Sequence, residues 1–434
     1  MKQPINIFWF RRDLRLDDNV GFYEALNGNL PVLPIFIFDS DILQKLPKTD
    51  ARVTFIYQTL QKLRSTLQNK HSSSIGLYYG KPLDIHKQLV DSYDINTVYT
   101  NHDYEPYATK RDTEIGHFLS QNAIPFQTYK DQVIFEKDEI VKKDGTPYMV
   151  YTPYMKLWKQ TFRSQKLKIF DTANHLNNLI NQVDLPDLNL SDIGFETSDQ
   201  KVASYTVTPS LIQHYESTRN FPAKDTTSRL GPHLRFGTVS IRKIVNKSIA
   251  ENNEIFWQEL IWREFFTQIL WHFPHTETKS FKPQYDRIEW RNNEIEFKAW
   301  CNGETGYPLV DAGMRQLNET GFMHNRVRML VGSFLCKHLL IDWRWGESYF
   351  AEKLHDYDMA SNVGNWQWVA GSGVDASPYF RIFNPMTQIE KFDKQLNYIK
   401  TWAPDFQELT YPRPIVEHKF ARERALQVYK EALN

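Results

Sequence analysis

The chain is poor in cysteine and carries no net charge, and each shortage excludes a class of protein. Among its 434 residues only Cys301 and Cys336 are cysteines, too few for a disulfide framework or a cysteine-based zinc site. The 52 basic and 52 acidic side chains cancel, so no global field marks a nucleic-acid or membrane protein. The sequence has no long apolar run and no signal-peptide pattern. We therefore expect a soluble protein of the reducing cytoplasm that does not bind membranes.

Several catalytic motifs are also missing. The 13 histidines form no H-E-x-x-H pattern, and neither C-x-x-C nor G-x-S-x-G occurs. The first apolar run leads into the basic sequence RRDLR at 11–15, where a dinucleotide-binding domain has its G-x-G-x-x-G turn. The sequence thus predicts no metal site, no nucleophilic serine and no standard NAD module.

Aromatic residues, by contrast, are abundant. They make up 14% of the chain, and 12 of them are tryptophans. The segment DYDMASNVGNWQW at 356–368 joins two carboxylates, an amide and two indoles within a short stretch. Aromatic rings beside polar groups of this kind favour a planar, electron-accepting ligand.

The first third of the chain alternates short apolar runs with helical periodicity, which predicts a doubly wound parallel sheet. The predicted strands are 5–10, 32–38, 75–79 and 97–99. The predicted helices are 51–68, 83–92 and 108–121.

The rest of the chain has a different pattern. Residues 131–206 are rich in Lys, Asp, Pro and Asn and predict a long connector. Beyond it the strand pattern disappears, and the predicted helices are 256–273, 307–319, 326–340 and 349–354. The expected fold is therefore α/β plus all-α, with domain bounds at 1–130, 131–206 and 207–434.

Individual segments allow a functional and an ordinary structural interpretation. Glu259 and Trp262 share one helix face, which suits a pocket but equally an amphipathic helix. Arg326 and Arg328 suit a phosphate and a buried carboxylate, or ordinary surface ion pairs. The hydroxyl-rich run TSRLG at 227–231 suits a phosphate site or a helix cap. Taken one at a time, the structural interpretation is favoured for each.

Taken in order, however, these segments resemble the photolyase/cryptochrome family of flavoproteins, and are closest to its class I cyclobutane pyrimidine dimer (CPD) photolyases. Several long motifs occur in one order over nearly the whole chain, which makes chance similarity a poor explanation. The motifs are FWFRRDLRLDDN at 8–19, YTPYMKLW at 151–158, TSRLGPHLRFGTVS at 227–240, ELIWREFF at 259–266, GYPLVDAGMRQL at 306–317, MHNRVRM at 323–329, and 356–388.

The resemblance implies an N-terminal α/β antenna domain, a linker and a helical domain that binds FAD. It implies that Asn362 faces flavin N5 and that Arg328 pairs with Asp356. Gly231 stands where close relatives often have Ser. The implied FAD contacts are Tyr215, Thr227, Ser228, Arg229, Leu230, Gly231, Phe256, Arg328, Asp356, Tyr357, Asp358 and Asn362.

The resemblance also implies catalytic and DNA-binding residues. Trp366, Trp343 and Trp300 match, from the flavin outwards, the chain that carries electrons from the surface. Glu259 and Asn362 complete the expected catalytic set, with a protonated Glu259 bonding the thymine carbonyls. The implied contacts with the lesion and the DNA backbone are Arg219, Glu259, Trp262, Asn325, Arg326, Met329, Trp368, Arg381 and Gln388.

The implied activity is light-driven repair of pyrimidine dimers in single- or double-stranded DNA by a monomer. An electron passes from excited reduced FAD to a flipped-out dimer and returns after the ring has split. Tyr107 and Ala108 stand where folate-binding relatives have an Asn-Glu pair, so a second antenna chromophore of deazaflavin, flavin or folate type stays open, as does an empty site.

Other functions remain as alternatives. A cryptochrome photoreceptor keeps the flavin and the tryptophans, commonly with a C-terminal extension for which this chain leaves little room. A (6-4) photolyase uses a His pair where this sequence has only His324. A light-independent flavin oxidoreductase needs a substrate motif that is not found, and a nonenzymatic DNA-binding module does not explain the segment 356–362.

Overall fold

The computed structural model describes residues 3–434, which separate into two compact units. The first unit contains the chain as far as Glu136, together with Gln160–Ser204 and Leu230–Ala250. The second unit contains Lys137–Lys159, Tyr205–Arg229 and Glu251–Asn434. Each unit is thus built from three separate stretches, whereas the sequence suggested contiguous bounds at 130 and 206. Periodicity indicates where regular structure stops, but not which core a connecting segment packs against.

The first unit is organised around a parallel sheet of five strands. The strands are Pro4–Phe10 (β1), Val32–Asp39 (β2), Gly76–Gly80 (β3), Asp94–Asn101 (β4) and Phe126–Tyr129 (β5). They lie in the order β3-β2-β1-β4-β5, and every neighbouring pair is parallel. The order reverses at β1 and β4, the arrangement of a doubly wound sheet.

Both faces of this sheet are buried, which explains the continuous apolar runs in its central strands. In β1, Phe8 and Phe10 pack into the hydrophobic cluster on one face, while Ile7 and Trp9 pack into the cluster on the other. The helices of this unit are Val20–Leu26, Ser40–Leu43, Ala51–His71, Pro82–Ser92, Pro106–Gln121, Leu230–Arg235 and Ile241–Ala250, with short 3-10 turns at Ala173–Asn178 and Leu190–Ile193.

Several elements were not predicted from the sequence, and strand β5 and the helix Tyr151–Arg163 show why. Strand β5 lies at the sheet edge with its two central residues exposed, so it has no apolar run. The helix Tyr151–Arg163 has residues in both units and contains Pro153 in its first turn. A helix tolerates proline at this position, but in a sequence a proline usually indicates a loop. Both elements fall where the sequence pattern is weakest.

The second unit consists of helices around one large hydrophobic cluster. Its helices are Pro209–Thr218, Glu254–His272, Glu294–Asn302, Pro308–Thr320, Asn325–Ser333, Trp343–Lys353, Met359–Ala370, Pro385–Phe392, Asn397–Trp402 and His418–Leu433. Short 3-10 turns occur at Pro274–Glu277 and Pro283–Arg287, and a π-helical turn at Phe334–His338. Helix Met359–Ala370 packs against Glu254–His272 and Trp343–Lys353.

The predicted fold class is confirmed: a parallel α/β sheet domain is joined to an all-helical one. Within residues 3–434 no helix is both long enough and apolar enough to cross a membrane.

Candidate functional site

The aromatic and acidic segment 356–368 forms the start and body of one helix in the second unit. Asp358 caps helix Met359–Ala370 by accepting a hydrogen bond from the Ser361 N–H at 3.2 Å. Just before it, Asp356 accepts two hydrogen bonds from the Arg328 guanidinium, at 3.1 and 2.8 Å. The sequence predicted this pair. Its bidentate geometry fixes the chain at the point where the helix begins.

Asn362 lies one turn into this helix and is buried. Its amide nitrogen donates to the Glu347 backbone carbonyl at 3.1 Å and to the Glu347 carboxylate at 2.9 Å. Burial raises the pKa of Glu347, and the bond from Asn362 opposes that shift. The side chain predicted to face flavin N5 is therefore oriented by a carboxyl group that the sequence did not point to.

The hydroxyl-rich run around 227 contains unsatisfied polar atoms. The hydroxyl oxygens of Thr226 and Thr227 are buried and have no hydrogen-bond partner within the described residues. Arg229 has a left-handed φ of 55°, a costly conformation for a non-glycine residue, and its guanidinium lies 3.5 Å from the Phe322 ring centre. Its neighbour Ser228 is held through its carbonyl by the Thr206 N–H at 2.8 Å. Buried, unpaired hydroxyl groups in a strained loop are what a bound polar ligand satisfies.

The last two residues of the predicted run belong to a helix. Leu230 and Gly231 begin helix Leu230–Arg235, which belongs to the first unit. The sequence placed the helix after the run, but the structure starts it inside the run, because Pro232 is tolerated in a first helical turn.

Two further predicted flavin contacts meet on neighbouring helices of the second unit. Tyr215 on Pro209–Thr218 and buried Phe256 on Glu254–His272 make an edge contact with ring centres 5.1 Å apart. Burial, then the nearby Glu259 carboxylate, raises the pKa of Tyr215 to about 12, so its hydroxyl stays protonated. Tyr357 is partly buried against the main helical cluster.

Helix Glu254–His272 carries Glu259 and Trp262 at its partly exposed face. Glu259 accepts a hydrogen bond from Arg219 at 2.5 Å, so two predicted DNA-facing residues pair with each other. The Trp262 ring stacks on Tyr151 with ring centres 3.5 Å apart and planes 8° apart. The Tyr151 hydroxyl in turn donates to the Gln258 carbonyl at 2.9 Å. The ring of Trp262 is thus held in a fixed plane.

The arginines around this face lie in a shared positive field. Burial, then the like charges of Arg219 and Arg381, lowers the pKa of Arg326. Arg326 donates to Asn220 and lies over the Phe392 ring, 4.4 Å from its centre. Burial and four arginines lower the pKa of His324 to about 4, so the imidazole is neutral at pH 7. A field that repels protons attracts anions such as phosphates.

The other predicted DNA-facing residues lie on several elements. Asn325 is exposed at the start of helix Asn325–Ser333, and Met329 is partly buried one turn later. Trp368 packs partly buried against the helical cluster, Arg381 is exposed beside Phe383, and Gln388 lies on helix Pro385–Phe392.

The three tryptophans of the predicted electron chain occupy three helices, but their order needs correction. All three are buried, and Trp300 is 0% exposed, so it is not the surface end of a chain. Its ring centre lies 6.2 Å from that of Trp366, which makes it a direct neighbour of the tryptophan predicted to be nearest the flavin. Sequence order along separate helices carries no information on depth, which only packing determines.

The predicted antenna stretch has its own bonding in the first unit. The Tyr107 hydroxyl donates to Asp39 at 2.7 Å, and Ala108 is buried. Tyr107 has a phenol in the stretch where folate-binding relatives have an amide and a carboxylate, and this phenol already bonds Asp39. This argues against a folate-type ligand held through Tyr107 and Ala108.

Three residues of the site were missed from the sequence: Tyr151, Glu347 and Asn220. Tyr151 opens the quoted motif YTPYMKLW and so carried a signal, but its partner Trp262 is more than a hundred residues away. Glu347 and Asn220 resemble any surface polar residue in sequence. Their roles arise only from tertiary proximity.

Comparisons with known proteins find matches over nearly the whole chain. Residues 6–172 match the family model for DNA photolyase, and residues 256–410 match that for the FAD binding domain of DNA photolyase. The chain is 37% identical over 98% of its length to the deoxyribodipyrimidine photo-lyase of Agrobacterium fabrum, covering 97% of that protein.

Two solved structures have the same fold over nearly their whole length. A class III photolyase from Agrobacterium tumefaciens is 34% identical with a TM-score of 0.87, and the match covers 100% of this chain and 98% of that one. A photolyase from Sulfolobus tokodaii, solved with two FAD molecules, is 33% identical with a TM-score of 0.83, covering 98% and 99%.

Proposed function

Because this chain belongs to the DNA photolyase/cryptochrome family, we propose that it is a photolyase that repairs cyclobutane pyrimidine dimers in DNA with blue light. One observation carries the proposal. Helix Glu254–His272 presents Glu259 and Trp262 on one face and packs against helix Met359–Ala370, which carries Asn362. A lesion held by the first helix is therefore close to a ligand held by the second.

The residues of the second unit fit FAD. The unpaired hydroxyls of Thr226 and Thr227 suit its phosphates, and Arg328, Asp356 and Asn362 supply polar groups for a flavin ring. Reduced FAD, when bound, supplies under blue light the electron that opens the cyclobutane ring and receives it back. The remaining roles fall to the side chains of this chain.

Trp262 supplies a rigid stacking surface for a flipped pyrimidine dimer. Its plane is already set by Tyr151, so little conformational freedom is lost when a base stacks on it. Flipping costs a few kcal/mol and costs least at a damaged base pair, which favours lesions over intact DNA.

Glu259 and Arg219 act together on DNA binding. They pair with each other at 2.5 Å, which leaves neither charge unsatisfied. A DNA phosphate competes for Arg219, and its arrival releases Glu259, whose protonated form donates a hydrogen bond to a dimer carbonyl. Binding of the backbone is thereby coupled to completion of the lesion pocket.

His324 favours CPD repair over (6-4) repair. Its Nδ1 accepts a hydrogen bond from the Arg326 N–H at 3.2 Å and caps helix Asn325–Ser333. Because its pKa is lowered to about 4, chiefly by burial, the ring is neutral near pH 7 and lacks the acidic proton of an imidazolium. The class within the photolyases stays a prediction, since the Agrobacterium tumefaciens structure is that of a class III enzyme.

The deciding experiment is repair of a synthetic thymine cyclobutane dimer in a short oligonucleotide by prereduced, FAD-loaded protein under blue light. We expect base absorbance at the dimer to recover in the light and not in a dark control. A parallel oligonucleotide with a (6-4) lesion should stay unrepaired. Tight DNA binding without recovery of either lesion would contradict the proposal and leave a cryptochrome-type sensor as the better explanation.

A further inference from the structure

One lysine of the second unit is buried in the protein interior. Lys337 is 1% exposed and lies in the π-helical turn Phe334–His338, a rare kind of turn that often occurs at functional sites. No carboxylate among the described residues pairs with its ammonium group. Its Nζ donates instead to the Arg381 backbone carbonyl at 3.0 Å. Buried lysines are normally paired with an acidic group, so this charge calls for a different explanation.

The carbonyl that Lys337 bonds belongs to the loop 371–384. The first half of this loop is attached to the rest of the unit by backbone hydrogen bonds at Ser372, of 2.9 Å, and at Ser377, of 3.3 Å. In the second half, the Arg381 N–H bonds a carbonyl of the same loop at 2.9 Å. The bond from Lys337 therefore ties the second half of the loop to the core.

The residue held in this way carries one of the arginines predicted to contact DNA. Arg381 is exposed, and its charge adds to burial in lowering the pKa of Arg326. Its guanidinium lies 5.4 Å from the centre of the Phe383 ring, while its carbonyl accepts the bond from Lys337. A hydrogen bond from a charged donor is stronger than one between neutral groups. The backbone from which the Arg381 side chain projects is thus firmly placed.

The charge of Lys337 depends on its surroundings. Burial, then the like charge of Arg381, lowers the pKa of Lys337 to about 8, with Cys336 acting in the opposite direction. Burial also raises the pKa of Cys336 and lowers that of His338 to about 3, so neither is charged between pH 7 and pH 9. The titratable and charged groups that act on this turn are Cys336, His338, Asp342, Arg381, His418 and Arg424.

We propose that Lys337 is a positioning residue for DNA binding, whose buried ammonium holds the Arg381 backbone so that the Arg381 guanidinium meets a phosphate. The inference rests on the proposed function, because a phosphate at Arg381 presupposes DNA. A bound phosphate offsets the repulsion from Arg381 and favours the charged form of Lys337, so DNA binding takes up a proton. Affinity for DNA therefore falls as the pH rises through the pKa of free Lys337, about 8. A lysine that only filled the core would not produce this dependence.

The test measures binding of an oligonucleotide with a thymine cyclobutane dimer to FAD-loaded protein, in the dark and at fixed salt, by fluorescence anisotropy. For the unaltered protein we expect affinity to fall about fivefold from pH 7 to pH 9. Lys337→Met removes the charge and the donor and should bind about tenfold more weakly at pH 7, with no such fall. Lys337→Arg stays charged throughout this range and should keep most of the affinity without the pH dependence.

Lys400 provides a matched control. It also donates to a backbone carbonyl, that of Gln395 at 3.3 Å, but it is exposed. Lys400→Met should therefore keep both the affinity and the pH dependence of the unaltered protein. FAD content, and the repair rate at saturating DNA, should stay the same in all three variants, because the change concerns binding of the backbone.

Amide hydrogen exchange without DNA gives a second measurement that does not depend on DNA binding. In Lys337→Met, protection of residues 379–383 should fall about tenfold after correction for intrinsic exchange, while that of helix Met359–Ala370 stays the same. Unchanged protection, or equal pH dependence in the unaltered protein and Lys337→Met, would overturn the role of Lys337 and leave dimer repair untouched. Failure of the unaltered protein to bind dimer DNA would instead contradict the proposed function, and this role with it.

Discussion

The buried arginines of the first unit and the arginines around Arg326 in the second unit are arranged in opposite ways. In the first unit Arg15 and Arg242 both bond the buried carboxylate of Asp131, at 2.7 and 2.8 Å. Although burial opposes it, these two arginines hold the pKa of Asp131 below its ordinary value. In the second unit the like charges of Arg219 and Arg381 add to burial in lowering the pKa of Arg326.

This difference distinguishes arginines that hold the fold together from arginines that are placed to bind an anion. The motif FWFRRDLRLDDN is the first sign of the family in the sequence, yet its arginines are used internally: Arg11 bonds Asp112, Arg12 bonds Asp103 and Glu105, and Arg15 bonds Asp131. In the second unit, Arg326 lies in the field of Arg219 and Arg381 at some electrostatic cost, which a polyanion removes on binding. A recognisable motif is therefore not by itself a binding site.

The largest effect on stability should come from removing the carboxylate that pairs with the buried arginines of the first unit. Asp131→Asn leaves Arg15 and Arg242 without their shared buried charge and should cost about 3–5 kcal/mol of unfolding free energy, measured by urea denaturation. The control Asp17→Asn removes an exposed pair with Lys243 and should cost less than about 1 kcal/mol. Equal losses in the two variants would contradict the distinction drawn here.

Next in size is Trp366→Phe, which removes the indole at the centre of the tryptophan cluster. We expect light-driven reduction of the flavin to slow about a hundredfold, equivalent to about 2.7 kcal/mol, because phenylalanine is much harder to oxidise. Repair by chemically prereduced protein should be unchanged. Loss of repair under those conditions would mean that Trp366 acts elsewhere in the reaction.

Trp262→Ala tests the stacking surface of the second unit. It should weaken binding of dimer-containing DNA by about 1–3 kcal/mol, the usual value for one base stacked on an aromatic ring, while FAD content stays the same. Tyr151→Leu, which removes the ring under Trp262, should give part of this loss, and Tyr151→Phe, which keeps the ring, almost none. Unchanged affinity in Trp262→Ala would exclude stacking as the basis of lesion binding.

The positive field around His324 also predicts that the stability of the protein depends on pH. An unfolded histidine titrates near pH 6.5, whereas His324 in the fold has a pKa of about 4, so the unfolded chain binds more protons between these values. Stability should therefore rise with pH across this window, by up to about 3 kcal/mol from this group. His324→Asn keeps a capping side chain and should remove that part of the rise in urea titrations. An unchanged or steeper rise in the variant would contradict this assignment.

The smallest change in stability is expected from Arg326→Gln. Removing one of several like charges should alter the unfolding free energy by no more than about 0.5 kcal/mol, in contrast to Asp131→Asn. It should nevertheless lower the salt dependence of DNA binding by about one counter-ion, the signature of a lost phosphate contact. A large loss of stability would show that Arg326 is structural like the arginines of the first unit.

Much of the fold was predictable because it is encoded locally. Strands β1 and β2 are buried on both faces, so their apolar runs identify them without knowledge of their neighbours. Helix Glu254–His272 begins after its cap Asn253 and has the composition of a buried helix. Strand β5 was missed because its two central residues are exposed, which leaves it without an apolar run.

The chemistry of the site was predictable as a set of residue types, and its geometry was not. The sequence by itself determined that the helical half carries carboxylates, an amide, arginines and indoles in the family's order, because motifs are local in the chain. Tertiary structure alone decided that Glu347 orients Asn362, that Tyr151 orients Trp262, and that Trp300 lies beside Trp366 instead of at the surface. These contacts join residues on different helices, and which side chains meet depends on how the helices pack, a property that no single segment contains.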